Sequence, residues 1–147
     1  MMNLYPTKCN LCGGKVIYTT NAKVYHGKTY GSGYCYLCTG CDAYVGTHEP
    51  RPKEALGLLA NEQMRKAKMA CHDIFDSKWK GKTRARKKRN EMYAWLADKL
   101  GIDISDCHFG YFDLEMLKKA YFILLEIEHK QIGYDKHGKM IFVDEVV

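Results

Sequence analysis

Four cysteines in two pairs have the residue type and spacing to do chemistry. Cys9 and Cys12 form one C-x-x-C pair, and Cys38 and Cys41 form a second about 25 residues further on. A two-residue spacer lets both thiolates of a pair reach one tetrahedral ion, and amides of the turn face the sulfur charge. A second pair on a neighbouring hairpin closes the site. This is the pattern of a zinc ribbon. Four thiolates leave no open coordination position, so the expected zinc is a single structural ion rather than a catalytic one. Cys35 competes for a place, because Cys35-x-x-Cys38 has the same spacing. Gly40, directly before Cys41, suits a turn and favours Cys38 with Cys41. His26 and His48 are candidate replacement ligands. The plainer reading, a cluster of buried thiols, does not account for two paired spacings.

The second feature is cationic. From Lys78 to Arg89, eight of twelve residues are Lys or Arg. Lys80, Lys82, Arg84, Arg86, Lys87, Lys88 and Arg89 are the candidate contacts to a partner or to nucleic acid. Phosphate contacts with counterion release would make such a stretch a sequence-independent anchor. Trp79 beside it has two readings, a base-stacking ring or a core side chain, and the second is preferred. Cations near a helix start oppose the helix dipole. A third set, His72, Asp76, His108 and Asp113, would suit a metal-dependent hydrolase or acid–base chemistry. His72 and Asp76 lie one helical turn apart, so a simple side-chain pair explains them. Asp113 is also a good helix N-cap. No nucleophile elbow, phosphate-cradling glycine loop or His-Glu-x-x-His motif occurs. No catalytic residue is assigned, and a non-enzymatic protein is expected.

These residues must be positioned by a chain of 147 residues, 46% apolar and 27% charged. That is a globular composition with enough chain to bury a core without disulfides. The seven cysteines are an odd number, and in a reducing compartment they are metal ligands or buried thiols before they are disulfides. No apolar run approaches the roughly 18–20 residues of a membrane span, and no signal-peptide core is seen. A cytoplasmic protein without a membrane partner is expected. The net charge of +6 is uneven: residues 1–52 carry 5 basic and 2 acidic side chains, residues 53–100 carry 13 and 6, and residues 101–147 carry 5 and 9. A basic middle of this density suggests a polyanionic partner.

Short strands are expected at Lys15–Thr20, Tyr30–Tyr36 and Ala43–Val45, with a tight turn at Gly13-Gly14. Apolar residues at helical spacing predict a helix from about Lys53 to Trp79, with Pro52 at its first position. A second helix is expected from about Arg84 to Leu100, closed by Gly101. A third runs from Leu114 to about Glu128. Ile132–Val143 reads as a hairpin around Asp135-Lys136-His137-Gly138. The expected architecture is α+β: a small β zinc ribbon packed on about three helices, with a C-terminal hairpin. The ribbon module would be 1–52 and the helical region with its hairpin 53–147, forming one compact unit.

The combined motifs resemble a phage-associated zinc-finger-containing domain family of unknown function. They are Cys9-x-x-Cys12, Tyr36-Leu37-Cys38-x-x-Cys41-Asp42-Ala43-Tyr44-Val45-Gly46-x-His48, Leu56-Gly57-x-Leu59-Ala60, His72-x-x-Phe75-Asp76-x-x-Trp79-Lys80, Tyr93-x-Trp95-Leu96-Ala97, Leu100-Gly101-Ile102 and Cys107-His108-x-Gly110-x-Phe112-Asp113. The resemblance covers roughly residues 9–125. It supports Cys38 and Cys41 over Cys35 as ligands and implies a phage or prophage origin. Ala is usual in the family where this chain has Cys71, so that thiol is not read as functional. By analogy, small phage proteins of this kind bind and redirect a host machine. The resemblance itself implies no settled activity; by that analogy the expected function is inhibition of host CRISPR immunity, acting on a Cas9-type nucleoprotein by blocking DNA loading or a conformational step. The alternative is a nucleic-acid-binding zinc-ribbon protein of phage replication or transcription. Either the basic middle or the acidic C-terminal region would make the contact.

Overall fold

The computed structural model describes residues 2–145. Its fold is α+β. Strands β1 (Val16–Thr20), β2 (Tyr34–Cys38) and β3 (Tyr44–Gly46) form an antiparallel sheet in the order β1-β2-β3. Helices α1 (Glu62–Ser77), α2 (Ala85–Leu100) and α3 (Leu114–Leu125) follow, then a hairpin of β4 (Lys130–Tyr134) and β5 (Met140–Asp144). Contacts group the chain into two compact units, Met1–Lys66 with Gly110–Asp113, and Ala67–Phe109 with Leu114–Val147.

In the first unit, β2 is the central strand, and Val16 pairs with Cys38 while Tyr36 pairs with Val45. The core gathers Cys9, Val16, Tyr36, Cys38, Ala43, Val45, Ala55 and Leu59. The strand expected from Tyr30 begins instead at Tyr34. Gly31 and Gly33 take left-handed backbone angles, and Gly33 N–H closes a turn on the Tyr30 carbonyl. A strand cannot run through such a turn.

The helix expected from Lys53 begins only at Glu62, so Pro52 is not its first residue. The backbone groups of residues 55–60 are bonded elsewhere. Ala55 bridges to Thr47 and Ala60 to Tyr44, extending the sheet beyond β3. Leu58 N–H donates to the Gly110 carbonyl at 2.8 Å. An apolar residue at helical spacing does not make a helix when its N–H and C=O already have other partners. The helix starts where Asn61 supplies a cap, its Oδ1 accepting from the Met64 N–H at 2.9 Å.

In the second unit, Phe75 on α1 meets Tyr93 on α2 at 4.6 Å and Phe109 at 5.3 Å between ring centroids. Cys71 is fully buried and its thiol meets the Leu117 carbonyl of α3 at 3.5 Å. Burial pushes that thiol up to about 11, so it is a packing residue rather than a nucleophile. Helix α2 ends as its sequence reads. Gly101 is left-handed (φ 69°), and Ile102 N–H reaches the Ala97 carbonyl at 3.0 Å in a Schellman arrangement. Helix α3 ends at Leu125, short of the expected Glu128. The hairpin is held to α2 by Trp95 against Phe142 at 4.9 Å and by Tyr134 Oη, which donates to Glu91 at 2.6 Å.

Candidate metal centre and basic surface

The four cysteines chosen on spacing converge. The Sγ atoms of Cys9, Cys12, Cys38 and Cys41 all lie within 4.8 Å of one another. Cys9 and Cys41 are 3.6 Å apart, Cys12 and Cys38 3.4 Å. A disulfide needs about 2.05 Å, and four sulfurs each about 2.3 Å from one tetrahedral ion stand about 3.8 Å apart. The separations match shared coordination.

The two knuckles are built alike. Gly13 (φ 73°) and Asp42 (φ 63°) are left-handed at the same offset from Cys9 and Cys38. Cys9 N–H bonds the Gly14 carbonyl, and Cys38 N–H bonds the Ala43 carbonyl. Leu11 N–H faces Cys9 Sγ at 3.3 Å and Gly40 N–H faces Cys38 Sγ at 3.3 Å. These amides stabilise thiolate charge. The Cys41 amide is the largest of the influences that draw Cys38 down to about 7. The Ala43 amide lowers Cys41 too, but desolvation and the crowding sulfurs outweigh it and push that thiol up to about 12. One thiol ionises readily and the next resists, as expected where several anions need a common cation. Gly14 leaves the space for this crowding: a Cβ there would stand 3.1 Å from both Cys12 Sγ and Cys38 Sγ.

Cys35 is excluded by strand parity. It is buried on β2, but side chains alternate along a strand, so it faces away from Cys38. His26 and His48 are not in the convergent group.

An antiparallel sheet with two cysteine knuckles, followed by three helices and a hairpin, defines an α+β zinc-ribbon protein. A family model for a zinc-finger-containing domain of unknown function matches residues 5–127, and the chain belongs to that family. The hairpin lies beyond the matched stretch. No curated protein and no solved structure matches the chain. Cys9, Cys12, Cys38 and Cys41 hold one structural Zn2+, supplying four thiolates and no vacant position for substrate.

One residue that secures the ribbon carried no recognised signal. Asn10, inside the first knuckle, donates from Nδ2 to the Leu59 carbonyl at 3.0 Å and accepts the Leu59 N–H at 3.0 Å. Its side chain pairs like a strand residue with a segment 49 positions away. Asn10→Ala leaves both Leu59 groups without this partner and is expected to cost about 1–3 kcal/mol. Denaturant unfolding of the zinc-loaded variant measures it; an unchanged midpoint would refute the pairing.

The cationic stretch divides. Lys80, Lys82, Arg84, Arg86, Lys87 and Arg89 are exposed and Lys88 is half-buried. Lys78, the first cation of the run, is not on the surface, being 4% exposed. Its ammonium donates to the carbonyls of Glu128, at 3.0 Å, and Lys130. Desolvation draws its pKa below the ordinary lysine range. Trp79 is half-buried, with Arg89 5.5 Å from its ring; Arg89 also lies 4.8 Å from the Tyr93 ring. Lys87 sits 4.8 Å over Tyr134. Helix α2 has no acidic residue in its first turn, and Arg84, its N-cap, is left-handed without a side-chain cap.

His72 Nδ1 lies 3.7 Å from Asp76 Oδ2 on α1, and the imidazole packs edge-on to Phe109 at 4.7 Å. His108 lies against Tyr93 at 6.0 Å. Asp113 belongs to the first unit. Among the described residues no helix is long and apolar enough to cross a membrane.

Proposed function

We propose that this zinc protein is a non-enzymatic binder of a nucleic-acid-containing partner, engaged through the cationic stretch from Lys80 to Arg89. The supporting observation is the concentration of cations at the start of α2. Six of them are exposed, and the first turn of the helix has no acid to offset them. Like charges held at the positive end of a helix dipole cost free energy in isolation, and phosphates placed there would reverse the sign.

The narrower form of the reading is a phage-encoded inhibitor of host CRISPR immunity in the bacterial cytoplasm. It would meet a Cas9-type nucleoprotein and block DNA loading or a conformational step. What supports it is the analogy with small phage proteins that redirect a host machine, together with a basic surface suited to effector-bound nucleic acid. The alternative use of the same surface is DNA or RNA binding in phage replication or transcription.

Fluorescence anisotropy against short duplex and single-stranded DNA, at about 50 and 200 mM salt, tests the surface. Binding is expected at low salt and should weaken steeply at high salt. Replacing Arg84, Arg86 and Lys87 with Gln should reduce affinity at least about tenfold and flatten the slope of log K against log salt by up to about 3. Equal binding by the variant would overturn this assignment. A guide-loaded Cas9 cleavage assay tests the narrower form, and undiminished cleavage at saturating protein would remove it.

A further inference from the structure

Lys78 is a buried cation whose hydrogen bonds go to backbone carbonyls rather than to a carboxylate. It forms part of the wall of a cavity of about 310 Å³, which Lys82, Lys88, Lys130 and Gln131 also line. Glu145 is the one carboxylate of this lining. The four lysines come from the region just past α1, the loop before α2, the first part of α2, and β4. Among the described residues neither Lys82 nor Lys88 forms an ion pair, and Lys130 reaches the exposed Asp144 at 3.5 Å. Among the described residues, four lysines and a single carboxylate line this small space, so its lining carries an excess of positive charge.

We propose that this cavity binds a phosphate monoester, the group at the end of a nucleic acid strand or on a free nucleotide. The volume suits a small ligand. A monoester carries a charge of about −1.5 to −2 at neutral pH with three strong acceptor oxygens, which meets an excess of lysine donors. An internal phosphodiester is flanked by sugar on both sides and is served by an open surface. A terminal group can project inward toward Lys78. The cavity shares Lys82 and Lys88 with the cationic stretch, so the proposal deepens the reading of that surface. Glu145 opposes the ligand and tempers its affinity.

The zinc-loaded full chain is titrated with two otherwise identical single-stranded DNAs, one with a 5′-phosphate and one with a 5′-hydroxyl. The phosphorylated strand should bind about tenfold more tightly, the scale of one charge-assisted hydrogen bond. Lys82→Gln with Lys88→Gln should bring the ratio close to one, and Glu145→Gln should raise it. Both replacements lie outside the core, so folding is not at issue. Adenosine monophosphate, followed by the amide NMR signals of Lys82, Lys88 and Gln131, distinguishes the source. Shifts at concentrations like those of the strand assign the site to free nucleotides, and shifts only with the strand assign it to strand ends. Equal affinity for both strands with no shift from the mononucleotide overturns the cavity and leaves the cationic stretch standing. Shifts from the mononucleotide without binding of either strand keep the cavity and remove the nucleic-acid reading.

Discussion

Removing zinc, or replacing Cys9 or Cys41 with Ser, should unfold the first compact unit. The four sulfurs converge from two knuckles, and Cys9 and Cys38 are also members of that unit's core. The other residues of the cluster they join are mostly small: Val16, Tyr36, Ala43, Val45, Ala55 and Leu59. Apparent binding free energies of structural zinc are about 10–16 kcal/mol, as large as the whole stability of a typical domain, about 5–15 kcal/mol. The apolar cluster therefore cannot stand in for the ion. Chelation should abolish hydrogen-exchange protection across β1, β2 and β3. Each Cys→Ser variant should lose stoichiometric zinc by elemental analysis. Cys35→Ser is the matched control, since Cys35 occupies the same strand as Cys38 but the opposite face; it should keep one zinc per chain. Acid should release the ion, because protons compete with it for the thiolates. A Cys9→Ser protein with one bound zinc and unchanged protection would be incompatible with the four-cysteine centre.

Gly57→Ala should be the most damaging single substitution away from the metal. A Cβ at Gly57 would lie 2.1 Å from the Gly110 carbonyl oxygen and 2.6 Å from its carbon. Those are backbone atoms, so no side-chain rotation relieves the clash. The same contact carries the hydrogen bond from Leu58 N–H to the Gly110 carbonyl. The methyl group would force the two segments apart and break it. Overpacking costs about 1–3 kcal/mol where neighbours can yield; here the neighbour is backbone, and the lost Leu58–Gly110 hydrogen bond adds to the cost. A destabilisation of at least about 3 kcal/mol is expected by denaturant titration of the zinc-loaded protein. Gly27→Ala is a useful contrast, because nothing lies within 4 Å of its added Cβ and only its left-handed φ of 92° is strained. An equal loss at both positions would mean that backbone angle, not the Gly110 contact, sets the requirement at Gly57.

The sequence by itself determined what depends on short intervals. Cysteine spacing located the two knuckles, since a knuckle is closed by its own turn, and Gly40 favoured Cys38 with Cys41. Apolar periodicity and Gly101 located α2, and the Asp135–Gly138 turn located the hairpin, whose Asp135 Oδ1 accepts the N–H groups of His137 and Lys139. Tertiary structure decided what depends on distant partners. Residues 55–60 have helical apolar spacing, yet they pair with β3 and with Gly110, so α1 starts at Asn61's cap instead of Lys53. Strand parity, visible only once β2's bounds were known, separated Cys35 from Cys38. Lys78 read as one cation in a basic run until the carbonyls of Glu128 and Lys130, some 50 residues away, took it into the interior. Local patterns are written in the chain because the interacting groups are a few bonds apart. The pairing of remote backbone groups and the gathering of four lysines around one cavity leave no such periodicity, because they arise only when the chain has closed on itself.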